Sequence, residues 1–124
     1  MPESDPQLVE DGLEVLKRFA ARGATLTYGE LNRELGSPIT SPSAGFPGRI
    51  GKLCDDINKH HDATTGHGFM ISALVHGVDS GLPGPGFFAL AADLRRLPPT
   101  DDVGAKRKFV EWECEAAFAA YRPE

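Results

Sequence analysis

The spacing of apolar residues predicts two helices in the first third of the chain. A first helix is expected over residues 7–22, because one apolar stripe recurs there at helical spacing and Gly23 follows as a C-cap. Residues 24–26 have the composition of a short strand. A second helix should start at Thr27, since Thr27 and Glu30 have the spacing of a capping box, and it should end at Gly36. The stripe of the first helix consists of Leu8, Val9, Leu13, Leu16, Phe19 and Ala20.

A third helix is expected from about Pro47 to His60, after a loop rich in Pro, Gly and Ser over residues 36–48. Two faces can be separated on this helix by their residue types. The apolar face carries Ile50, Leu53, Cys54 and Ile57, and the largely opposite face carries Arg49, Lys52, Asp56 and Lys59.

The second half of the chain alternates apolar runs with turn residues. The run Phe69–His76 predicts a strand, and residues 77–81 and 82–86 predict a turn followed by a rigid loop. A short helix is expected over residues 87–97. A last helix should begin after Asp101 or Asp102 and end near Tyr121, with Trp112 in the core beside Phe109 and Ala116.

These elements predict a mostly helical α+β fold, with one domain over residues 1–124 and no ordered structure over residues 1–6. Three helices followed by a β element is typical of a winged helix, in which the third helix enters the major groove of DNA. Any small α+β domain could show the same order, so the pattern alone leaves both interpretations open.

Composition narrows the class of protein. The chain has 124 residues, 40% of them apolar and 25% charged, which is ordinary for a globular domain. Its longest apolar stretch, Phe69–Val75, is too short to cross a bilayer, and the acidic N-terminus lacks the apolar core of a signal peptide. We therefore expect a cytoplasmic protein with no membrane partner.

The net charge of −5 is unevenly distributed. Residues 1–30 carry −3, residues 31–61 carry +1 and residues 62–124 carry −3. A strong non-specific DNA-binding protein usually has a basic face and a high isoelectric point. Any contact with DNA must therefore use a local patch, and the middle third is the candidate region.

No complete catalytic or metal-binding motif occurs in the sequence, so we expect no cofactor and a protein that is not an enzyme. The two cysteines are far apart and predict buried free thiols, although a disulfide between them is left open. The histidines match no zinc spacing and are interpreted as solvated loop residues. They are His60, His61, His67 and His76.

Three further segments have an interpretation without catalysis. Asp79–Gly81 lacks the glycine frame of a nucleophile elbow and predicts a turn. Gly84–Gly86 lacks the lysine of a phosphate loop, and it predicts either a packing corner or a rigid loop presented to a ligand. Lys106–Lys108 is either a basic surface run or a second phosphate contact.

Four short segments, in matching order from about Leu13 to Glu113, resemble the C-terminal domain of O6-alkylguanine-DNA alkyltransferases and their alkyltransferase-like relatives. They are Thr27–Leu31, Gly48–Leu53, Leu74–Leu82 and Lys106–Glu113. The resemblance implies a winged-helix-like domain that binds DNA and extrudes a nucleotide from the duplex. It implies that Tyr28 lies against a phosphate and that Arg49 fills the gap left by the extruded base, which offsets part of the lost stacking energy.

The chain departs from that family at the position of the alkyl acceptor. The family has Pro-Cys-His-Arg, and this chain has Ile71–Leu74, so that Ser72 stands in place of the cysteine. A serine hydroxyl without a neighbouring base is a poor nucleophile, and Ala73 follows where the family has histidine. If the alignment holds, transfer of an alkyl group is excluded.

Three hypotheses follow from the sequence. The first is a non-enzymatic domain that binds double-stranded DNA or a DNA lesion through Tyr28, Arg49, Lys52 and Lys59. The second is a protein-interaction or regulatory module that kept a winged-helix-like fold and lost contact with DNA, with the loop 82–88 or the acidic terminal helices as its contact surface. The third, which no motif supports, is an enzyme built on the histidines and acids near the turn.

Overall fold

The computed structural model describes residues 5–36 and 46–123, of which residues 46–49 are described by their backbone alone. Helices account for most of these residues, and one small sheet of two strands accompanies them, so the fold is mostly helical α+β. In chain order the elements are α1 (Pro6–Ala21), β1 (Leu26–Thr27), α2 (Tyr28–Glu34), α3 (Phe46–Thr65), a 3-10 helix (Ile71–Leu74), β2 (Val75–His76), α4 (Pro85–Asp93) and α5 (Val103–Tyr121).

The boundaries of α1 follow from local chemistry. The Asp5 carboxylate accepts a hydrogen bond of 3.1 Å from the Gln7 amide, and Pro6 occupies the first helical position, where its missing N–H is not needed. Gly23 follows the helix with a φ of 67°, a conformation that favours glycine. Of residues 1–6, for which no ordered structure was expected, Asp5 and Pro6 thus belong to the start of this helix. Residues 1–4 lie outside the described residues.

Helices α1 and α3 approach each other closely at Gly12. A Cβ atom at this position would lie 2.6 Å from the Cδ1 atom of Ile57, which is closer than real carbon atoms come. Because Gly12 has no side chain, the Ile57 side chain of α3 packs directly against the backbone of α1. The apolar faces expected for both helices are confirmed, since Leu13, Leu16 and Leu53 are buried.

The capping box that predicted the start of α2 is present. The Thr27 hydroxyl accepts from the Glu30 amide at 3.1 Å, and the Glu30 carboxylate accepts from the Thr27 amide at 2.9 Å. Thr27 is also the last residue of β1, which pairs in parallel with β2 and places Leu26 beside Val75. The sheet thereby fixes the start of α2 next to the end of β2.

The strand expected over Phe69–His76 is wrong for most of its length. Ile71–Leu74 form a 3-10 helix, and only Val75 and His76 are in a strand. Every residue of the 3-10 helix is buried. A continuous apolar run has no period that distinguishes a strand from a helical segment buried on all sides, and here packing between α1, α3 and α5 decides the conformation.

Helix α3 continues five residues beyond the predicted end at His60 and stops at Thr65. Gly66, with a φ of 68°, is the residue that ends it. The loop expected over residues 36–48 falls mostly on residues 37–45, which lie outside the described residues. Helix α4 runs over Pro85–Asp93, earlier in the chain than the expected 87–97, because Pro85 is suited to the first turn of a helix.

Helix α5 starts as expected, with the Asp102 carboxylate accepting from the Gly104 amide at 2.9 Å. The core position expected for Trp112 is wrong, since this side chain is 73% exposed. The buried face carries Phe109 and Glu113 instead. Glu113 is stabilised there by a bidentate ion pair with Arg96 at 2.8 and 2.9 Å and by the amide of Met70.

Both cysteines are free and buried, as the sequence predicted. The Cys114 thiol donates to the Ala73 carbonyl at 3.3 Å, and burial raises its pKa to about 12. Such a thiol is inert at neutral pH. Within the described ranges, no helix combines the length and the hydropathy needed to cross a bilayer.

Candidate functional site

A cleft of about 680 Å³ opens between the start of α2, the first half of α3, the end of β2 with its following turn, and the start of α4. This volume is in the range of sites for small molecules and cofactors. Its walls are mostly apolar, with Ile50 and Phe87 buried beneath it and Val78 exposed at its rim. The polar side chains that line it are those of Tyr28, Lys52, Cys54, Asp55 and His76.

Tyr28 holds two sides of the cleft together. Its hydroxyl oxygen accepts a hydrogen bond of 2.7 Å from the amide of Gly84, 56 residues away in the sequence. Burial raises the pKa of Tyr28 to about 12, so the hydroxyl stays protonated. The half-buried side chain is thus a structural bridge as well as a lining residue, and its hydroxyl proton is directed away from the Gly84 donor.

The segment Gly84–Gly86 has features of both interpretations, since it joins packed neighbours and also lines the open cleft. Pro83 is buried and Pro85 begins α4. Phe87 packs at 6.0 Å from Phe109 of α5 and edge-on at 5.1 Å from Phe88. The turn before it is closed by Gly77, whose amide donates to the Leu82 carbonyl at 2.9 Å, so this wall of the cleft is held by both ends.

Asp55 is the acidic group of the cleft. Its Oδ2 atom lies 3.5 Å from the place that a Cβ atom of Gly86 would occupy, which sets the carboxyl against the start of α4. Burial raises the pKa of Asp55 to about 6, although the positive charges of Lys59 and Lys52 oppose the shift. Within the described part of the chain, its carboxyl accepts no hydrogen bond and forms no ion pair.

The basic residues expected to contact DNA lie along α3. The Lys52 ammonium is 2.9 Å from the Asp56 carboxylate, one turn further along the helix, and Lys59 is exposed. Arg49 lies in the first turn of the same helix, directly before Ile50, and its side chain is outside the described residues. The backbone therefore places Arg49 about one turn before Lys52, which lines the cleft, and Lys59 two turns beyond Lys52.

Ser72, at the position of the family's acceptor cysteine, lies apart from the cleft. It is 2% exposed. Its hydroxyl accepts a hydrogen bond of 2.6 Å from the side-chain amide of Asn58, and its backbone amide donates to the side-chain Oδ1 atom of Asn58 at 2.9 Å. Both side chains are buried and satisfy each other. Ser72 links α3 to the 3-10 helix, and no ligand could reach its hydroxyl without unpacking the core.

A thiol does border the cleft, at Cys54. Burial and the nearby Asp55 raise the pKa of this thiol above its usual range. Because the thiolate is the reactive form, Cys54 is a poor nucleophile at neutral pH. Cys54 therefore adds no reactive nucleophile to the cleft, whose apolar walls and polar side chains can recognise a ligand by shape and hydrogen bonding.

A second group of ionisable residues lies at the other end of α3. His61 has no exposed surface, which corrects the expectation that it is a solvated loop residue. Its Nε2 atom is 2.6 Å from the Tyr121 hydroxyl, and its buried Nδ1 atom has no hydrogen-bond partner. The His67 ring stacks on it at 5.5 Å between ring centroids, and the Phe69 ring lies tilted against it at 5.1 Å. We call these four residues the aromatic cluster.

Burial, together with the charges of His67 and Lys17, lowers the pKa of His61 to about 4. The histidine is thus neutral at physiological pH. In residues 5–36 and 50–123, no three His, Cys, Asp or Glu side chains come together in a way that could hold a metal ion. Within the aromatic cluster His61 is fully buried, while His67 and Tyr121 keep exposed surface, whereas the cleft is open to solvent.

The sequence analysis missed Asp55, His76 and Phe87 as residues of the cleft. Asp55 was assigned to neither face of the third helix. One signal was present, because Gly51 and Asp55 are four residues apart and so share a face of α3, where the glycine leaves space beside the acid. No comparable local signal marks His76, which enters the cleft through the pairing of β2 with β1.

Comparison of the chain with protein-family models, with curated proteins and with solved structures gave no significant match.

Proposed function

We propose that the chain is a winged-helix-like DNA-binding domain that holds an extruded nucleotide in the cleft and catalyses no reaction. In this proposal α3 docks on the duplex with Arg49 and Lys52 at the contact, and the cleft beside them receives the base. One observation carries the proposal: an open, mostly apolar cleft lies directly beside the part of α3 that bears Arg49 and Lys52.

The dimensions and surfaces of the cleft support this use. Its volume of about 680 Å³ exceeds what a single base needs and leaves room for the sugar. Apolar and aromatic walls suit the faces of a base that has lost its stacking neighbours. Tyr28 lines the cleft, and the resemblance to alkyltransferases implies that this residue lies against a phosphate.

The charge distribution sets the expected strength of binding. A net charge of −5 opposes association with DNA, so the basic residues of α3 have to act locally. We expect weak binding to plain duplex, tighter binding to a duplex with an unpaired nucleotide, and a steep loss of both with salt. The gain on the second duplex arises because an unpaired base is extruded at a smaller cost.

Fluorescence anisotropy with a plain duplex and with one carrying a single bulged nucleotide, at low salt, tests the proposal. The wild type should bind the bulged duplex more tightly, and Arg49→Ala should lose at least about tenfold in affinity for it. Arg122→Ala is the matched control, since Arg122 is an exposed arginine at the end of α5, next to Tyr121 of the aromatic cluster and not among the residues that line the cleft. Equal dissociation constants for the wild type and Arg49→Ala would refute the proposal.

The exposed face of α5 favours a second candidate function, a protein-interaction module. Trp112 is 73% exposed on this face, and an exposed indole can anchor a contact with another protein. If this face joins two copies of the chain, sedimentation should show a dimer that is insensitive to salt. Trp112→Ala should then abolish the dimer, whereas Phe88→Ala, at a half-buried residue outside α5, should not.

A further inference from the structure

The polar side chains of the cleft differ in how much of their hydrogen-bonding capacity is already used. The Tyr28 hydroxyl accepts from Gly84, and the Lys52 ammonium contacts Asp56. The His76 ring is 3.3 Å from the Thr25 hydroxyl and 3.2 Å from the Gly77 carbonyl. Among the described residues that line the cleft, Asp55 is the carboxyl group whose acceptor sites are all left without a partner.

An ionised carboxylate can only accept hydrogen bonds. At a half-buried position, a ligand that displaces its water without donating hydrogen bonds in return loses affinity. A ligand that brings N–H donors to Asp55 replaces the lost water. A ligand of the same shape that brings a carbonyl oxygen instead places two acceptors against each other. Sites of this kind discriminate strongly, because the mismatched ligand leaves buried polar groups unpaired.

We propose that Asp55 selects the occupant of the cleft, which is a nucleobase that presents an exocyclic amino group to this carboxylate. The proposal rests on the function proposed above, and it adds which bases the site accepts. Carboxylates accept hydrogen bonds from the N4 amino group of cytosine in protein–DNA complexes. Cytosine is therefore favoured over uracil, which has the same outline and carries a carbonyl at that place.

Two features of the surroundings support the choice of Asp55 over the other acids of α3. Asp56 contacts Lys52 at 2.9 Å, and Asp62 is exposed in the second half of the helix, away from the cleft. Among the described residues, none has an atom within 4 Å of the place where a Cβ of Gly51, one turn before Asp55, would lie. A ring can thus lie over Gly51 with its edge toward Asp55.

The test compares duplexes that differ only in one bulged nucleotide, cytosine or uracil, by anisotropy at pH 7.5 and low salt. The wild type should bind the cytosine duplex at least about tenfold more tightly than the uracil duplex. Asp55→Asn, which keeps the side-chain shape, should lose this preference, because the amide can donate to the uracil carbonyl. Asp55→Ala should lose it as well. Asp62→Asn, with the same change of net charge, should keep it.

A second experiment tests whether the cleft recognises the base by itself, without DNA. Free cytidine and uridine are titrated into the protein, and amide shifts of Gly51 and Gly86 are followed by NMR. Shifts with cytidine that are absent with uridine and in Asp55→Asn support the selection by Asp55, whether or not DNA binds. Binding to the bulged duplexes without a preference between cytosine and uracil would overturn the role of Asp55 and leave the DNA-binding function standing. No binding in either arm would overturn both.

Discussion

Helix α3 carries Asp55 near its middle and His61 toward its C-terminal end, and burial shifts the pKa of both side chains, yet their surroundings differ. Asp55 faces the open cleft beside the first half of the helix, which we call the open end, and its carboxyl accepts no hydrogen bond within the described residues. His61, about 9 Å further along the axis, is surrounded by the other rings of the aromatic cluster and hydrogen-bonded to Tyr121, and we call this part the closed end. A shifted pKa alone therefore does not mark a binding site. Open space beside the unpaired group does, because a ligand can then supply the missing partner.

The largest effect is expected at the closed end. His61→Ala removes a fully buried ring and its hydrogen bond with Tyr121, which should lower the free energy of unfolding by about 3 kcal/mol. His60→Ala, at the neighbouring half-buried position, should lower it by less than about 1 kcal/mol. Urea unfolding followed by circular dichroism measures both. Equal losses would show that the aromatic cluster is not a packed unit.

The two ends should also respond to pH in opposite directions. Between about pH 6.5 and 4 the unfolded chain binds a proton at His61 that the folded chain does not bind, so stability falls as the pH falls. Between about pH 3.8 and 6 the unfolded chain has lost a proton that the folded chain keeps on Asp55, so stability falls as the pH rises. The two contributions oppose each other over most of this range.

Asp55→Asn separates these contributions. As the pH rises from 4 to 6.5, the variant should gain stability relative to the wild type, by at most about 2 kcal/mol, since solvent partly screens the carboxylate. The other titratable and charged groups that face the two side chains are the same in the variant and the wild type, so their contributions cancel in the difference. They are Lys52, Asp56, Lys59, Tyr28 and His76 near Asp55, and Lys17, His60, Asp62, His67 and Tyr121 near His61. A difference in unfolding free energy that is constant over this range would mean that the pKa of Asp55 is not raised.

A pair of tyrosines gives a matched comparison of smaller effects. Tyr121→Phe leaves the buried His61 without its partner, and it should lower the free energy of unfolding by about 2 kcal/mol. Tyr28→Phe leaves the Gly84 amide unpaired at the border of the cleft, where water can replace the hydroxyl, and it should cost about 1 kcal/mol. Thermal unfolding of both variants orders the two losses. A larger loss at Tyr28 would contradict the assignment of open and closed ends.

The smallest effect is a change in DNA binding, and it is expected at Lys59 of α3 but not at Lys17 of α1. Lys59→Ala should weaken binding to the bulged duplex by about threefold at low salt and reduce its dependence on salt by roughly one ion. Lys17→Ala is the control at the closed end, where its ammonium lies 5.8 Å from the Tyr121 ring. Anisotropy at several salt concentrations distinguishes the two variants. The same salt dependence in both would remove Lys59 from the contact with DNA.

Local chemistry explains which parts of the fold the sequence predicted. Caps define helix boundaries through a few neighbouring residues, and Thr27 with Glu30, Gly23 and Asp102 all act as their spacing indicated. The end of α3 was missed because its last turns are polar, and the residue that ends them is Gly66. The 3-10 helix and the exposure of Trp112 depend on which elements pack together, which residue type alone does not reveal.

The candidate site was predicted only in part for the same reason. Tyr28 was found because the segment around it resembles a known family, and Lys52 because it lies on the charged face of the third helix; both line the cleft. Ser72 was singled out by the same alignment and is a core residue bonded to Asn58. Asp55 was missed because its place in the cleft depends on the start of α4, which lies against it although the two segments are some thirty residues apart.

The exposure of Trp112 has a practical consequence. It is the single tryptophan of the chain, and its indole already meets water in the folded state. Its emission should therefore change little when the protein unfolds and should shift to shorter wavelength when another surface covers α5. The molecule thus carries its own optical reporter, one that registers docking while remaining nearly silent to denaturation.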